Sequence, residues 1–156
     1  VGRATGLIGP AAKAFGGRGS AAVRRGRGWL DATRDAARRD GYVETLPGRR
    51  GSFPDVSAHS PGARAVAENM AVNTPVQGSA ADIIKVAMIH VTRRLAKEGL
   101  KSRMLLQVHD ELVFDVPLAE LESVTTLVRE EMEGAVEISV PLLVEVGSGR
   151  NWREAH

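Results

Sequence analysis

Ile83, Ile84, Ala87, Met88, Val91 and Leu95 recur at three- and four-residue steps, an apolar stripe that predicts an amphipathic helix from about Val76 to Lys97. Gly99 predicts its stop, because helices commonly end on a residue in the left-handed conformation that glycine tolerates. Met104–Val108 and Leu112–Val116 are short apolar runs around a polar tip, which predicts a β-hairpin. Leu118–Gly134 returns to helical spacing, and Pro141–Val146 reads as a final strand. Upstream, Trp29–Arg39 sets Leu30, Thr33 and Ala37 along one side of a helix that Gly41 ends. Tyr42–Leu46 alternates as a short strand, Pro47-Gly48 marks a turn, and residues 51–60 read as a loop of Ser, Pro and Gly. A helix over about Ala63–Val72 is expected to break at Pro75, since proline suits the first turn of a new helix. Residues 1–28, including Gly16-Gly17-Arg18-Gly19-Ser20 and Arg24-Arg25-Gly26-Arg27-Gly28, show no apolar period and read as loop or disorder. Helix, helix, hairpin, helix, strand predicts an α+β fold with an antiparallel sheet, strands packed against helices.

Composition narrows the classes. With 156 residues, of which 43% are hydrophobic, the chain can bury the core of one domain. No stretch approaches the roughly 20 apolar residues of a membrane span, and no secretory signal opens the chain. The absence of cysteine excludes disulfides and thiolate metal sites, and fits a cytoplasmic protein. His59, His90, His109 and His156 show no zinc-ligand spacing, so any metal is expected to be a hard, oxygen-bound ion. Net charge is +2, but arginines crowd the stretch from Arg18 to Arg50 and acids the stretch from Glu120 to Glu137. An Arg-rich end either meets phosphates or forms a solvated face.

The run Gln107-Val108-His109-Asp110-Glu111-Leu112-Val113-Phe114 carries the candidate chemistry. Alternation puts Leu106 and Val108 on one face of the first strand, with Leu105, Gln107 and His109 on the other. Asp110 and Glu111 then sit at the turn. The residues are compatible with a hairpin that needs polar turn residues, or with carboxylates held rigidly for a cation. Adjacent carboxylates repel when desolvated, and a bound Mg²⁺, which typically uses one or two of them, removes the conflict. A two-metal phosphoryl-transfer site needs acids from at least two segments, and only one such segment is evident.

The stretch Asn73-Thr74-Pro75-Val76-Gln77-Gly78-Ser79-Ala80-Ala81-Asp82 is the second candidate. Asn73 and Gln77 flank Pro75, and their amides suit either helix capping or the minor-groove acceptors that every base pair presents. Gly78, Ser79, Ala80 and Ala81 form a small-residue surface that another backbone can approach.

Gly41–Leu46 with Gly48-Arg49-Arg50, then Asn73–Asp82, then Leu106–Leu112, then Val140-Pro141-Leu142 with Gly149-Arg150-Asn151-Trp152, form an ordered set. Together these segments resemble the C-terminal part of the polymerase domain of family A DNA polymerases, the bacterial DNA polymerase I type, over residues 29–156. The resemblance implies that Asp110 is the palm carboxylate that binds catalytic Mg²⁺, with Glu111 a less essential acid beside it. His109 and Gln107 would contact the primer strand near its 3′ end. Asn73 and Gln77 would touch the template–primer minor groove. Arg49 and Arg50 would contact the DNA backbone or brace the palm. The implied reaction is in-line attack of a primer 3′-hydroxyl on a nucleotide α-phosphate, in DNA replication or repair.

Departures from the family pattern are specific. Asn69 stands where an arginine points toward the primer–template, Gly51 where a third arginine is usual, and Pro47 where an aromatic is common. The family's other metal-binding aspartate, the fingers helix that holds the incoming nucleotide and the thumb belong to segments upstream of these residues. The chain is therefore expected to be a C-terminal fragment with an incomplete deoxynucleoside triphosphate site, inactive alone in primer extension. Ala4-Thr5-Gly6 and Ala12-Lys13-Ala14-Phe15 faintly resemble the segment after the fingers helix, so residues 1–28 read as a remnant of the fingers region. A locally shifted reading frame in a GC-rich gene would account for residues 16–28, which keep the length that the resemblance implies but not its apolar anchors. The alternatives are a non-catalytic DNA-binding remnant and an unrelated α+β interaction module with an acidic hairpin.

Overall fold

A computed structural model of the chain describes residues 2–8 and 20–155. Ala12-Lys13-Ala14-Phe15 and Gly16–Gly19 lie outside the described residues. The chain divides into two units, Lys13–Asp82 and Val1–Ala12 with Ile83–His156, and the long helix α2 (Pro61–Lys97) runs from the first into the second.

In the unit Lys13–Asp82, helix α1 (Ser20–Asp40) ends where Gly41, at φ +75°, donates its N–H to Ala37 O at 2.9 Å. A side chain at that angle carries a steric penalty that glycine lacks. The chain then forms a small antiparallel hairpin, β2 (Tyr42–Glu44) with β3 (Arg50–Ser52), followed by a 3-10 turn over Pro54–Ser57. Ala37, Val43, Val56, Ala67 and Ala71 bury against one another, with Phe53 packed on them.

Pro75 does not break the helix, and α2 is continuous from Pro61 to Lys97. Proline removes the N–H that would bond to the carbonyl of Ala71. Two hydroxyls bond around the gap: Thr74 Oγ1 donates to Met70 O at 2.9 Å, and Ser79 Oγ donates to Pro75 O. The loop expected over residues 51–60 also contains structure, because β3 ends there at Ser52 and the 3-10 turn lies within it.

In the second unit the predicted stripe is the core face of α2. Ile83, Ile84, Ala87, Val91 and Leu95 are buried, and Met88 packs beside them. Gly99, at φ +67°, ends the helix: its N–H reaches Ala96 O at 3.2 Å and the N–H of Leu100 reaches Leu95 O at 3.1 Å. That pair of bonds satisfies carbonyls left open by the last turn. Strands β1 (Gly2–Ile8), β4 (Arg103–Val108), β5 (Glu111–Val116) and β6 (Val144–Gly149) form one antiparallel sheet in the order β4-β5-β1-β6. Leu112, Phe114 and Val116 project at alternate positions into the core shared with α2 and with Val124, Leu127, Val128 and Met132 of α3 (Leu121–Glu133). Arg94 also ties the two helices, its Nη1 donating to Glu130 at 2.7 Å and Glu131 at 3.0 Å.

The α+β expectation agrees with this architecture, but the loop reading does not hold at residues 2–8 and 20–28. Residues 2–8 are an inner strand and 20–28 belong to α1. The segment 2–8 has little apolar pattern of its own, and its strand conformation is completed by hydrogen bonds to β5 on one side and β6 on the other. The last strand is shifted to Val144–Gly149 because its partners run from Ile8↔Val144 to Arg3↔Gly149. A short helix α4 (Trp152–Ala155) folds back on it, so closely that a Cβ on Gly147 would run into the carbonyl of Ala155. No described helix is long and apolar enough to cross a membrane.

Candidate active-site hairpin and nucleic-acid face

The β4–β5 hairpin closes with two residues, His109 and Asp110, and Val108 pairs with Glu111 across the ladder. The expected turn therefore shifts by one residue: Glu111 is the first residue of β5, not part of the loop. Short hairpin loops need a positive φ at one or both central positions to match the twist of the strands. His109 supplies it, at φ 54°, and it is the non-glycine residue with positive φ among the described residues. Histidine tolerates this region better than most side chains, yet at a cost.

Gln107 supports the strained tip by donating from Nε2 to His109 O at 2.8 Å. Asp110 is partly buried and His109 exposed. Behind them stand Leu112 and Phe114, both at 0% exposure, so the loop is anchored to the centre of the core. A bulge at Leu105 changes the predicted alternation. Met104 pairs with Phe114 and packs on the core, whereas Leu106 pairs with Val113. The extra residue moves Leu106 and Val108 to the face of Glu111 and Val113. Asp110 and Glu111 offer carboxylate oxygens, hard donors suited to Mg²⁺. Among the described residues, no group of three His, Asp or Glu could hold a metal ion. The donor chemistry fits, as one side of a site.

The second group lies in the unit Lys13–Asp82. Asn73 and Gln77 are exposed and one helical turn apart, so continuous α2 sets both amides on one face rather than flanking a junction. Asn69 continues this row one turn earlier, also exposed. Neither Asn73 nor Gln77 caps a helix, because both lie in the interior of α2.

Arg49 and Arg50 have partners within the fold. Arg49 Nε donates to both carboxylate oxygens of Asp82, at 2.9 and 3.1 Å. Arg50 Nε donates to Glu44 at 2.9 Å, and its guanidinium lies 4.5 Å from the centre of the Tyr42 ring. The Glu44 hydrogen bond, then the Tyr42 and Glu44 charges, hold the Arg50 pKa above its ordinary value. Gly51 pairs with Val43, and a Cβ there would meet the Thr74 methyl at 3.0 Å, so the glycine permits a close approach to α2. Ser79 and Asp82 shape this site although no motif marks them; the available signal is Ser79 inside the small-residue run and Asp82 directly after it.

The sequence model of the family described as DNA polymerase family A matches residues 11–154. The chain is 50% identical over 119 residues to DNA polymerase I of Lactococcus lactis subsp. cremoris (strain MG1363), covering 76% of this chain and 14% of that protein. It is 50% identical over 129 residues to the thermostable DNA polymerase I of Thermus aquaticus, covering 83% and 15%. Among solved structures it is similar to the POL domain of Pol1 from M. smegmatis in complex with DNA primer-template and dNTP. That match has a TM-score of 0.81 and 50% identity, over 83% of this chain and 23% of that one. The chain thus spans 14 to 15% of the length of these curated relatives. The matching pattern extends through the hairpin, the long helix and the closing strand: this chain belongs to DNA polymerase family A.

Proposed function

We propose that the chain is the C-terminal palm segment of a DNA-directed DNA polymerase, a nucleotidyltransferase of DNA replication or repair that works on cytoplasmic, nucleoid DNA. One observation carries the reading: Asp110 stands on a two-residue loop braced against a fully buried core, in a fold similar to a polymerase domain held with primer–template and dNTP. A carboxylate so fixed loses little freedom when it takes up a ligand, which is what a cation site requires.

In this reading Asp110 and Glu111 hold one side of a Mg²⁺ site, and the cation supplies charge neutralisation for phosphoryl transfer when bound. His109, beside Asp110 on the loop, lies against the primer near its 3′ end, and Gln107 keeps that loop in shape. Asn73 and Gln77 donate to and accept from the minor-groove edges of the primer–template, where every pair presents acceptors. Arg49, in the turn of the β2–β3 hairpin, and Arg50, at the start of β3, serve the duplex as contacts or as braces. Residues 1–28 belong to the fingers region and 29–156 to the C-terminal polymerase domain.

The test is a chimera in which residues 29–156 replace the matching segment of the Thermus aquaticus enzyme. Mg²⁺-dependent primer extension is expected, and Asp110→Ala is expected to abolish it while sparing primer–template binding. A chimera that binds primer–template normally but never extends it would instead favour the non-catalytic DNA-binding remnant.

A further inference from the structure

The turn of the β2–β3 hairpin grips α2 where proline weakens it. Ser79 is 4% exposed, and its hydroxyl has two bonds: it accepts the N–H of Leu46 at 2.8 Å and donates to Pro75 O. Thr45, also 4% exposed, seats its methyl over Gly78, where an added Cβ would come within 2.7 Å. Arg49 completes the grip with its paired bonds to Asp82 and a bond from Nη2 to Gly78 O at 3.4 Å.

Pro75, Gly78, Ser79 and Asp82 fall at the first, fourth, fifth and eighth positions of one helical stripe. At about 100° per residue, Asn73 and Gln77 centre roughly 180° away, on the opposite, exposed face. The hairpin therefore acts on the same turns that carry the amides, from behind. Without it the Pro75 turn has one fewer internal bond and is the place where the helix bends most readily.

We propose that this hairpin turn is a clasp that fixes the spacing and direction of Asn73 and Gln77, making Ser79 and Arg49 positioning residues for duplex recognition and not contacts to the duplex. The proposal rests on the reading that the amide face meets primer–template. Arg49 is the residue on which the two roles differ most sharply. As a phosphate contact it would contribute counterion release; as a brace it would not.

The experiment measures binding of the 156-residue chain to a fluorescent primer–template by anisotropy, across a series of salt concentrations, beside far-UV circular dichroism and amide exchange at Leu46. Ser79→Ala is expected to weaken binding about threefold to tenfold, the scale of a lost hydrogen bond, and to speed exchange at Leu46. Ser79→Thr is expected to restore both. Arg49→Gln should weaken binding with an unchanged salt slope; a slope reduced by about one would make it a phosphate contact and overturn its positioning role. Asp82→Asn is the sharpest arm. Removing an acid favours binding to a polyanion by charge alone, so weaker binding supports the clasp, and equal or tighter binding overturns it. A wild-type chain that fails to bind at all overturns the functional reading beneath the proposal. Wild-type binding matched by Ser79→Ala, with circular dichroism unchanged, overturns the clasp itself.

Discussion

Gln107 Nε2 and the carbonyl of His109 lie 2.8 Å apart, across a turn that puts His109 at φ 54°. The bond holds a non-glycine residue where glycine would be the easier choice, and Asp110 is the next residue along. Strain maintained by local bonding is common where a side chain has to be aimed.

Breaking this bond is expected to loosen the loop more than the domain. Gln107→Ala should cost about 0.5–1 kcal/mol in urea unfolding, with amide exchange accelerated at Asp110 and Glu111. His109→Val should cost more, about 1–2 kcal/mol, because a β-branched side chain resists the left-handed region. Equal stability of His109→Val and wild type would show that the turn had changed type.

In the chimeric polymerase, Asp110→Ala should lower extension by several kcal/mol of transition-state stabilisation, about a thousandfold or more, with little change in primer–template affinity. Gln77→Ala should lower affinity only about threefold to tenfold. Near-normal turnover in Asp110→Ala would remove the carboxylate from its assigned role.

Core truncation should separate buried from exposed apolar residues. Phe114, fully buried, should cost about 3–5 kcal/mol as Phe114→Ala. Leu118, 70% exposed, should change stability by less than about 0.5 kcal/mol as Leu118→Ala. Chemical denaturation of the two variants checks the assignment of the core face.

Acid should weaken the unit that contains α3 through Glu120. Its carboxylate accepts from Ser102 Oγ at 2.6 Å, from Ser102 N at 2.9 Å and from Lys101 N at 3.0 Å. The Ser102 hydroxyl, then the Lys101 backbone N–H, lower its pKa below the ordinary 4.5. Because the folded value is the lower one, this contribution is complete above pH 4.5 and is lost as pH falls below it through the folded value. Glu120→Gln should flatten that part of the stability profile, measured by urea unfolding between neutral and acid pH.

The elements with strong local signals were legible in advance. The stripe from Ile83 to Leu95 is a core face because helical spacing alone aligns those residues. Gly41 and Gly99 end helices because the left-handed geometry needed there is a property of one residue. The hairpin around His109-Asp110 was readable for the same reason, to within one residue.

Pro75 was misread because its local preference is real but not decisive. A proline costs an intrahelical bond, yet α2 passes through it with Thr74 and Ser79 bonding around the gap. Residues 2–8 were misread for a related reason, since their bonds go to strands more than 100 residues away in sequence.

Sequence by itself determined the core stripe of α2, the helix α3, the β4–β5 hairpin and the candidate chemistry, because periodicity, turn residues and acid placement act over a few positions. Tertiary structure alone decided that Gly2–Ile8 is an inner strand, that Leu105 bulges and turns Met104 to the core, and that Arg49 binds Asp82. Each of these depends on hydrogen-bond or charge partners that come close only when distant segments have packed, and no local pattern records such a partner.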